Sequence, residues 1–285
     1  MDKVAIIGLG LIGGSLALEL KKHSWASIYG VDSNELHLEK ALELGLIVAP
    51  ATIDIVAEVD TVIIAVPVDK IPGIALEVLD RIQSTTLVLD VGSTKNEVCK
   101  AIKGHPRRKN FVAAHPIAGT EFSGPEAAIY ELFSNKINII CEQHLSEANL
   151  VEKTVALFER IQMKTVFMDS AEQHDKHIAY VSHLSHISSF MLGKTVLEIE
   201  EDEKNIFNMA GSGFKSTVRL AKSNPKTWTP IFLENKDNIL QSLEEYIKNL
   251  EEFKLLLERD QKEAIFEVMK NTNRIQSVLA GLKTT

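Results

Sequence analysis

The sequence predicts an α/β chain: an N-terminal doubly wound, mostly parallel sheet followed by an all-α C-terminal domain. Three observations carry that expectation. Short apolar runs alternate with amphipathic segments through residues 1–168. A glycine-spaced turn, Gly8-Leu9-Gly10-Leu11-Ile12-Gly13, interrupts the first strand–helix pair. From Asp169 onward strand-like runs stop and helical periodicity takes over. The expected domains are therefore 1–168 and 169–285.

The elements follow in order. Candidate strands are 3–7, 27–31, 61–66, 86–90, 111–114, 137–141 and 164–168, each a short apolar run. Helical patterns between most of them predict parallel crossovers. Thr94-Lys95-Asn96-Glu97 has the spacing of a capping box and predicts a helix start just after the strand ending at Asp90. Val91-Gly92-Ser93 is then a loop at the carboxyl end of a strand, where open α/β sheets bind ligands. Ser170 to Leu197 reads as one long helix. Two more are expected from Pro230 to about Arg259 and from Asp260 to Leu282, with a stripe of Ile239, Leu243, Tyr246, Leu250, Phe253 and Leu257. Such stripes are buried helix faces, some of them a subunit interface.

Composition narrows the function. The 285 residues carry 31 basic and 39 acidic side chains, a net charge of −8, which disfavours nucleic acid or an anionic membrane as the main partner. No apolar run approaches the ~18 residues of a membrane span. The N-terminus runs straight into a strand, so no signal peptide is expected, and Cys99 and Cys141 read as reduced thiols of a cytoplasmic protein. With the glycine turn at residue 8 and a helical pattern up to Thr285, no domain is expected before or after these two.

The glycine turn has the order of a Rossmann-type dinucleotide fingerprint: strand, glycine turn, helix, strand, acid. Gly8 permits the tight turn, Gly10 lets backbone approach a pyrophosphate, and Gly13 lets helix pack on strand. The helix start, with Leu11 and Ile12, supplies amide donors to the phosphates. Asp32 ends the second strand 19 residues after Gly13, where a carboxylate bonds ribose hydroxyls and repels a 2′-phosphate. No Arg follows it, so NAD rather than NADP is expected. The alternative is that Asp32 only caps the next helix. Val66, ending the third expected strand, and Ser93 complete the expected cofactor set.

Three further groups could carry chemistry. Ser93 is either a site residue beside the nicotinamide or a turn residue. His115 follows a strand and precedes Pro116 and a glycine-rich loop, a setting that suits a group polarising a substrate hydroxyl. His174, His177, His183 and His186 invite a metal reading. In a regular helix, however, His183 and His186 lie roughly 60° apart, as do His174 and His177, and the two pairs point to different sides. No metal is expected. Arg219 follows the break Met209–Lys215 and is either a carboxylate clamp or a surface residue.

Together these stretches resemble the prephenate/arogenate dehydrogenase family: Gly8–Ser15, Asp90–Lys95, His115–Glu121, His174-Asp175, Ser182–His186 and Gly213 through Arg219, in the family's order over nearly the whole chain. The resemblance implies NAD-dependent oxidative decarboxylation of prephenate in tyrosine biosynthesis by a cytoplasmic homodimer joined through the helical domain. It implies that His115 and Ser93 act on the C4 hydroxyl, and that Arg219 and His186 hold substrate carboxylates. It also places His183 and Ser182 on the pocket wall and Glu121 at the substrate entrance. One position departs: Ser216 stands where the family often has Asp, which leaves the gating network of Glu121 incomplete. Three rivals remain: arogenate as substrate, a β-hydroxyacid dehydrogenase using Lys194 or Lys215, and an NAD-sensing regulator, which the acidic balance disfavours.

Overall fold

A computed structural model describes residues 2–22, 26–203 and 205–282. The strands are β1 (Asp2–Ile7), β2 (Ala26–Val31), β3 (Ala49–Pro50), β4 (Thr61–Ile64), β5 (Leu87–Asp90), β6 (Phe111–Pro116), β7 (Ile137–Cys141) and β8 (Lys164–Met168). They form one sheet in the order β3-β2-β1-β4-β5-β6-β7-β8. The first six are mutually parallel; β7 runs antiparallel to β6, and β8 parallel to β7. The chain crosses from one half of the sheet to the other between β1 and β4, the switch point where such sheets open a crevice. All seven expected strands are present. The two-residue β3 carried no readable pattern, β4 stops two residues short of Val66, and β6 extends to include His115.

The helices of the sheet region are α1 (Leu11–Lys22), α2 (Glu35–Glu43), α3 (Ile71–Arg81), α4 (Asn96–Ile102) and α5 (Ala148–Arg160). Strand residues alternate between two faces, and both faces are covered. Ile6, Ile63, Leu89 and Val112 pack with Leu16 and Leu20 of α1 and Phe158 of α5. Ile7, Ile64, Val88 and Phe111 pack on the other face with Val78 and Leu79 of α3 and Ile102 of α4. Two-sided burial is why these strands read as unbroken apolar runs. Each fully buried side chain of this size contributes about 1.5–3 kcal/mol.

After β8 come α6 (Ala171–Ile178), a π-helical turn at Ala179–His183, α7 (Leu184–Glu203), α8 (Ser212–Thr217) and α9 (Pro225–Glu234). The expected single helix over 170–197 is thus broken by the π turn, although Ser170 does cap its start, accepting from Gln173 N at 3.0 Å. Pro225 opens α9 at its first turn, where a missing N–H costs nothing, and Pro230 lies inside that helix rather than starting a new one. Ile231 of α9 joins the core on the α3–α4 face. The compact unit bearing the sheet ends at Lys236.

The second unit begins at Asp237. It comprises α10 (Lys236–Glu258) beyond its first residue, α11 (Lys262–Thr272) and α12 (Ile275–Leu282). The single helix expected over 260–282 is two helices. Leu250, Leu257, Phe266, Met269 and Leu279 are exposed on this unit. Among the described residues no helix is long and apolar enough to cross a membrane.

Two glycines of the first turn separate packing from binding. A Cβ on Gly13 would lie 2.0 Å from the Gly8 carbonyl oxygen and 3.1 Å from Ile6 Cγ2, whereas a Cβ on Gly10 would meet nothing within 4 Å. Overpacking of the first kind costs about 1–3 kcal/mol, so Gly13→Ala lowers Tm by roughly 2–12 °C in a thermal melt. Gly10→Ala leaves Tm unchanged and weakens dinucleotide affinity by roughly tenfold in a titration, a loss of about 1.4 kcal/mol.

Candidate active site

The dinucleotide cradle forms where β1 turns into α1. Gly8 has φ +94°, and its Cβ would lie 2.5 Å from the Ala65 carbonyl oxygen and 3.0 Å from Val66 Cγ1. No L side chain fits there without strain. The Gly8 amide donates to Val31 O at 2.8 Å, tying the turn to the end of β2. The first helical hydrogen bond of α1 runs from Gly14 N to Gly10 O, so the amides of Leu11, Ile12 and Gly13 stand free of intrahelical partners at the positive end of the helix. The open space over Gly10 and these amides suit a pyrophosphate. Asp32 accepts from Leu9 N at 2.9 Å and from Asn34 N at 2.9 Å. The cap of α2 is Asn34, which accepts from Leu36 N, so Asp32 is not its cap.

The next loop is organised by a buried ion pair. Asp90 ends β5, and its Oδ2 accepts from Lys95 Nζ and, at 3.1 Å, from Gly92 N. Both charged side chains have no exposed surface. Burial pushes the Asp90 carboxyl above its ordinary value against the pull of Lys95. The loop 91–95 wraps this pair, and Gly92 is required because a Cβ would lie 2.5 Å from Ile71 Cδ1. Ser93 Oγ is buried and has no hydrogen-bond partner among the described residues. The expected capping box does not form. The cap of α4 is Lys95 with no side-chain cap bond of its own. Its start is held instead by Asp175 of α6, which accepts from Lys95 N at 2.8 Å and Asn96 N at 2.9 Å.

His115 lies on β6, adjacent to β5, and is 8% exposed. Its Nδ1 is 2.9 Å from His174 Nε2, and His174 Nδ1 is 2.7 Å from Asp175 Oδ1. Burial, then the neighbouring His174, Lys95 and His183, hold the His115 imidazole well below its ordinary value. It is neutral at pH 7.

A second group of rings stands on the π turn and α9. His183 is fully buried. The Asn235 amide nitrogen donates to the Asp175 carbonyl at 2.6 Å and lies 3.2 Å from His183 Nδ1. That nitrogen is therefore the acceptor, and the proton of neutral His183 sits on Nε2, which is buried and without a partner among the described residues. Burial lowers His183 to about 4. His186 stacks on Trp228 at 3.3 Å between ring centroids, and His183 meets the same indole edge-on at 6.0 Å. His186 Nδ1 donates to Ser182 O at 3.0 Å. Burial lowers His186, with the nearby Arg219 adding to the shift.

The structure thus brings His115, His174 and His183 to one place, and His186, Trp228 and Arg219 to its flank. The regular-helix projection that set His174 opposite His183 does not hold, because the π turn changes the advance per residue between them. Arg219 opens a short 3-10 turn and is exposed; Glu121 is half-buried on the loop after β6. Among the described residues these two form no ion pair with each other. That loop is tethered by Asn224 Nδ2 donating to Ser123 Oγ at 3.1 Å. Asn235 and Trp228 carried no sequence signal for the site, reading locally as a helix end and an apolar face; Lys95 stood out only as the last residue of the Asp90–Lys95 stretch, with no role of its own. His174 and Asp175 stood out in the sequence through the histidine run and the resemblance, without a role beside His115.

Known proteins agree with this architecture. Residues 16–167 match the family described as prephenate dehydrogenase, nucleotide-binding domain, and residues 170–271 match prephenate dehydrogenase, dimerization domain. The prephenate dehydrogenase of Bacillus subtilis (strain 168) is 36% identical over 275 residues, covering 94% of this chain and 74% of that protein. The cyclohexadienyl dehydrogenase of Zymomonas mobilis is 30% identical, covering 97% and 95%. The crystal structure of prephenate dehydrogenase from A. aeolicus, in complex with hydroxyphenyl propionate and NAD+, superposes with a TM-score of 0.89 at 32% identity, over 98% of both chains. With a nucleotide cradle at the switch point, a helical region after it, and these matches along nearly its full length, the chain belongs to the prephenate dehydrogenase family.

Proposed function

We propose that the chain oxidatively decarboxylates prephenate to 4-hydroxyphenylpyruvate with NAD, on the route to tyrosine. The observation that carries this reading is His115, a neutral imidazole held against the carboxyl edge of the sheet beside the Ser93 loop. Prephenate has a hydroxyl and a hydrogen on C4 and a carboxylate on the opposite ring carbon. Loss of hydride from C4 and of the ring carboxylate as CO₂ leaves a phenol, with no net release of a proton. His115 therefore only shares the hydroxyl hydrogen as positive charge builds at C4. Ser93, whose hydroxyl has no partner among the described residues, bonds the same oxygen. Aromatisation takes up the electrons of the broken carbon–carbon bond, so no metal or Schiff base is required.

When bound, NAD supplies the hydride acceptor. The amides of Leu11, Ile12 and Gly13 and the space above Gly10 hold its pyrophosphate, Asp32 its ribose, and Val66 and Ser93 border its path along the strand ends. Arg219 and His186 hold the substrate carboxylates, with His183 and Ser182 on the wall and Glu121 at the entrance. The domain boundary is placed at 168/169. The exposed apolar residues of α10 to α12 support a homodimer through the helical part, and the proposed setting is the cytoplasm.

His186 also supports a second reading. Its Nδ1 is committed to Ser182, and a neutral Nε2 accepts hydrogen bonds. That nitrogen suits the side-chain ammonium of arogenate, whereas a carboxylate requires it to be protonated. Formation of NADH from NAD with prephenate or with arogenate separates the two. Rapid turnover of prephenate and little of arogenate supports the first reading, and the reverse result replaces it with the second.

His115→Asn cuts kcat by roughly 10²- to 10⁴-fold with NAD affinity unchanged; full activity in the variant removes His115 from the reaction. Arg219→Ala raises the KM for prephenate while kcat changes little. The pH profile has two signatures. Since His115 is active when neutral and its pKa is depressed, kcat stays flat as pH falls past 6.5 and drops only at lower pH. Since carboxylate binding protonates His186, whose free-state pKa is also depressed, KM for prephenate climbs as pH rises above that pKa. A KM independent of pH takes His186 off the carboxylate.

A further inference from the structure

The reaction assigned to His115 leaves one question of chemistry open: which ring nitrogen faces the substrate unprotonated. Imidazole has two nitrogens, and only a lone pair on the pocket side can accept the hydroxyl hydrogen. Two linked contacts bear on this. Asp175 Oδ1 can only accept, so His174 Nδ1 at 2.7 Å carries a proton. In neutral His174 the other nitrogen, Nε2, is then an acceptor. It lies 2.9 Å from His115 Nδ1, which must be the donor. The remaining nitrogen of His115, Nε2, is left with a lone pair.

We propose that His174 and Asp175 are positioning residues for the reaction: through this relay they hold His115 with Nε2 unprotonated and steady the charge it gains when it shares the substrate's hydrogen. The inference rests on the catalytic reading of His115.

The surroundings favour this arrangement over an isolated Asp–His contact. His174 is 1% exposed, as is Asp175. The carboxylate is anchored independently of His174 by the amides of Lys95 and Asn96, so its position does not depend on the ring it orients. The charged and titratable groups facing His115 are His174 from α6, Lys95 from the loop after β5, and His183 from the π turn. Lys95 is paired with Asp90, and the depressed basicity of His183 leaves it neutral. The carboxylate of Asp175 is therefore the group along this relay that can answer positive charge arriving on His115. The bonds balance without any further reagent. As the C4 hydroxyl hydrogen moves toward His115 Nε2, the Nδ1 hydrogen of His115 moves toward His174, and both return once the ring is aromatic.

His174→Ala removes the central ring and leaves Asp175 on its backbone amides. Measured with prephenate and NAD, kcat is expected to fall roughly 10²-fold or more, while KM for each substrate stays within about threefold. Added imidazole, able to enter the vacated space, should restore kcat at least several-fold. The same imidazole should do nothing for the double variant with His115→Asn. Asp175→Asn tests the tautomer separately, since an amide can donate to His174 Nδ1 and reverse the relay. Long-range ¹⁵N–¹H correlation spectra of histidine-labelled protein should show His115 with its proton on Nδ1 in the native chain and on Nε2 in Asp175→Asn. A His174→Ala variant with native kcat, or one whose loss imidazole leaves untouched, overturns the proposal. So does a native chain with the His115 proton on Nε2. If His115→Asn itself keeps full activity, it is the reading of His115 that fails, and the relay falls with it.

Discussion

The carboxylate of Asp175 is the contact on which the arrangement of the site depends. A buried charge is tolerated only when its lone pairs are answered, and removing any partner leaves a cost of several kcal/mol. Here three donors answer it: the amides of Lys95 and Asn96, and the ring of His174. The first two tie α6 to the start of α4, and through it to the loop that carries Ser93. The third passes through His174 to His115 on β6. The backbone carbonyl of the same residue receives Asn235, which in turn holds His183. One residue of the helical segment thereby sets the position of groups on a loop, a strand, a π turn and the end of α9.

Burial does the chemical tuning around that hub. His115 and His183 are both held neutral, chiefly because a low-dielectric surrounding disfavours imidazolium. Lys95, which would otherwise be an uncompensated cation in the interior, is matched by Asp90. Its loss would leave a lone carboxylate inside the fold, a change that typically costs about 3–5 kcal/mol. The Asp90–Lys95 pair and Gly92 together shape a loop whose buried serine hydroxyl has no partner among the described residues.

The π turn explains why helical projection misjudged the histidines. A regular helix puts residues 174 and 183 on opposite sides, nine steps of about 100°. Five residues wound as a π turn advance the chain differently, and His183 comes within electrostatic reach of His115 while His174 adds to the lowering of His183 itself. Nothing in Ala179-Tyr180-Val181-Ser182-His183 announces this locally. The turn is held by what packs on it: Trp228 and Asn235, both more than forty residues along the chain. The capping box at Thr94–Glu97 failed for a related reason. Local spacing offered a plausible cap, but a better-placed carboxylate arrived from another helix.

What the sequence by itself determined is whatever period and turn chemistry encode. Seven strands, their two-sided burial and the helical region after them follow from apolar periodicity. The glycine cradle with Asp32 follows from backbone demands that only glycine meets, as the 2.0 Å and 2.5 Å approaches at Gly13 and Gly8 show. His115 was legible because it stands at the end of a strand and before a proline. The tertiary structure alone decided which groups meet: His174 with His115, Asp175 with the α4 amides, Asn235 with His183, and Trp228 with His186. These pairs lie between 42 and 80 residues apart, apart from the contacts within α6 itself. Hydrogen bonds and ring stacking over such separations leave no periodic trace in a sequence, because each is specified by the packing of two elements and not by the residues on either side of it.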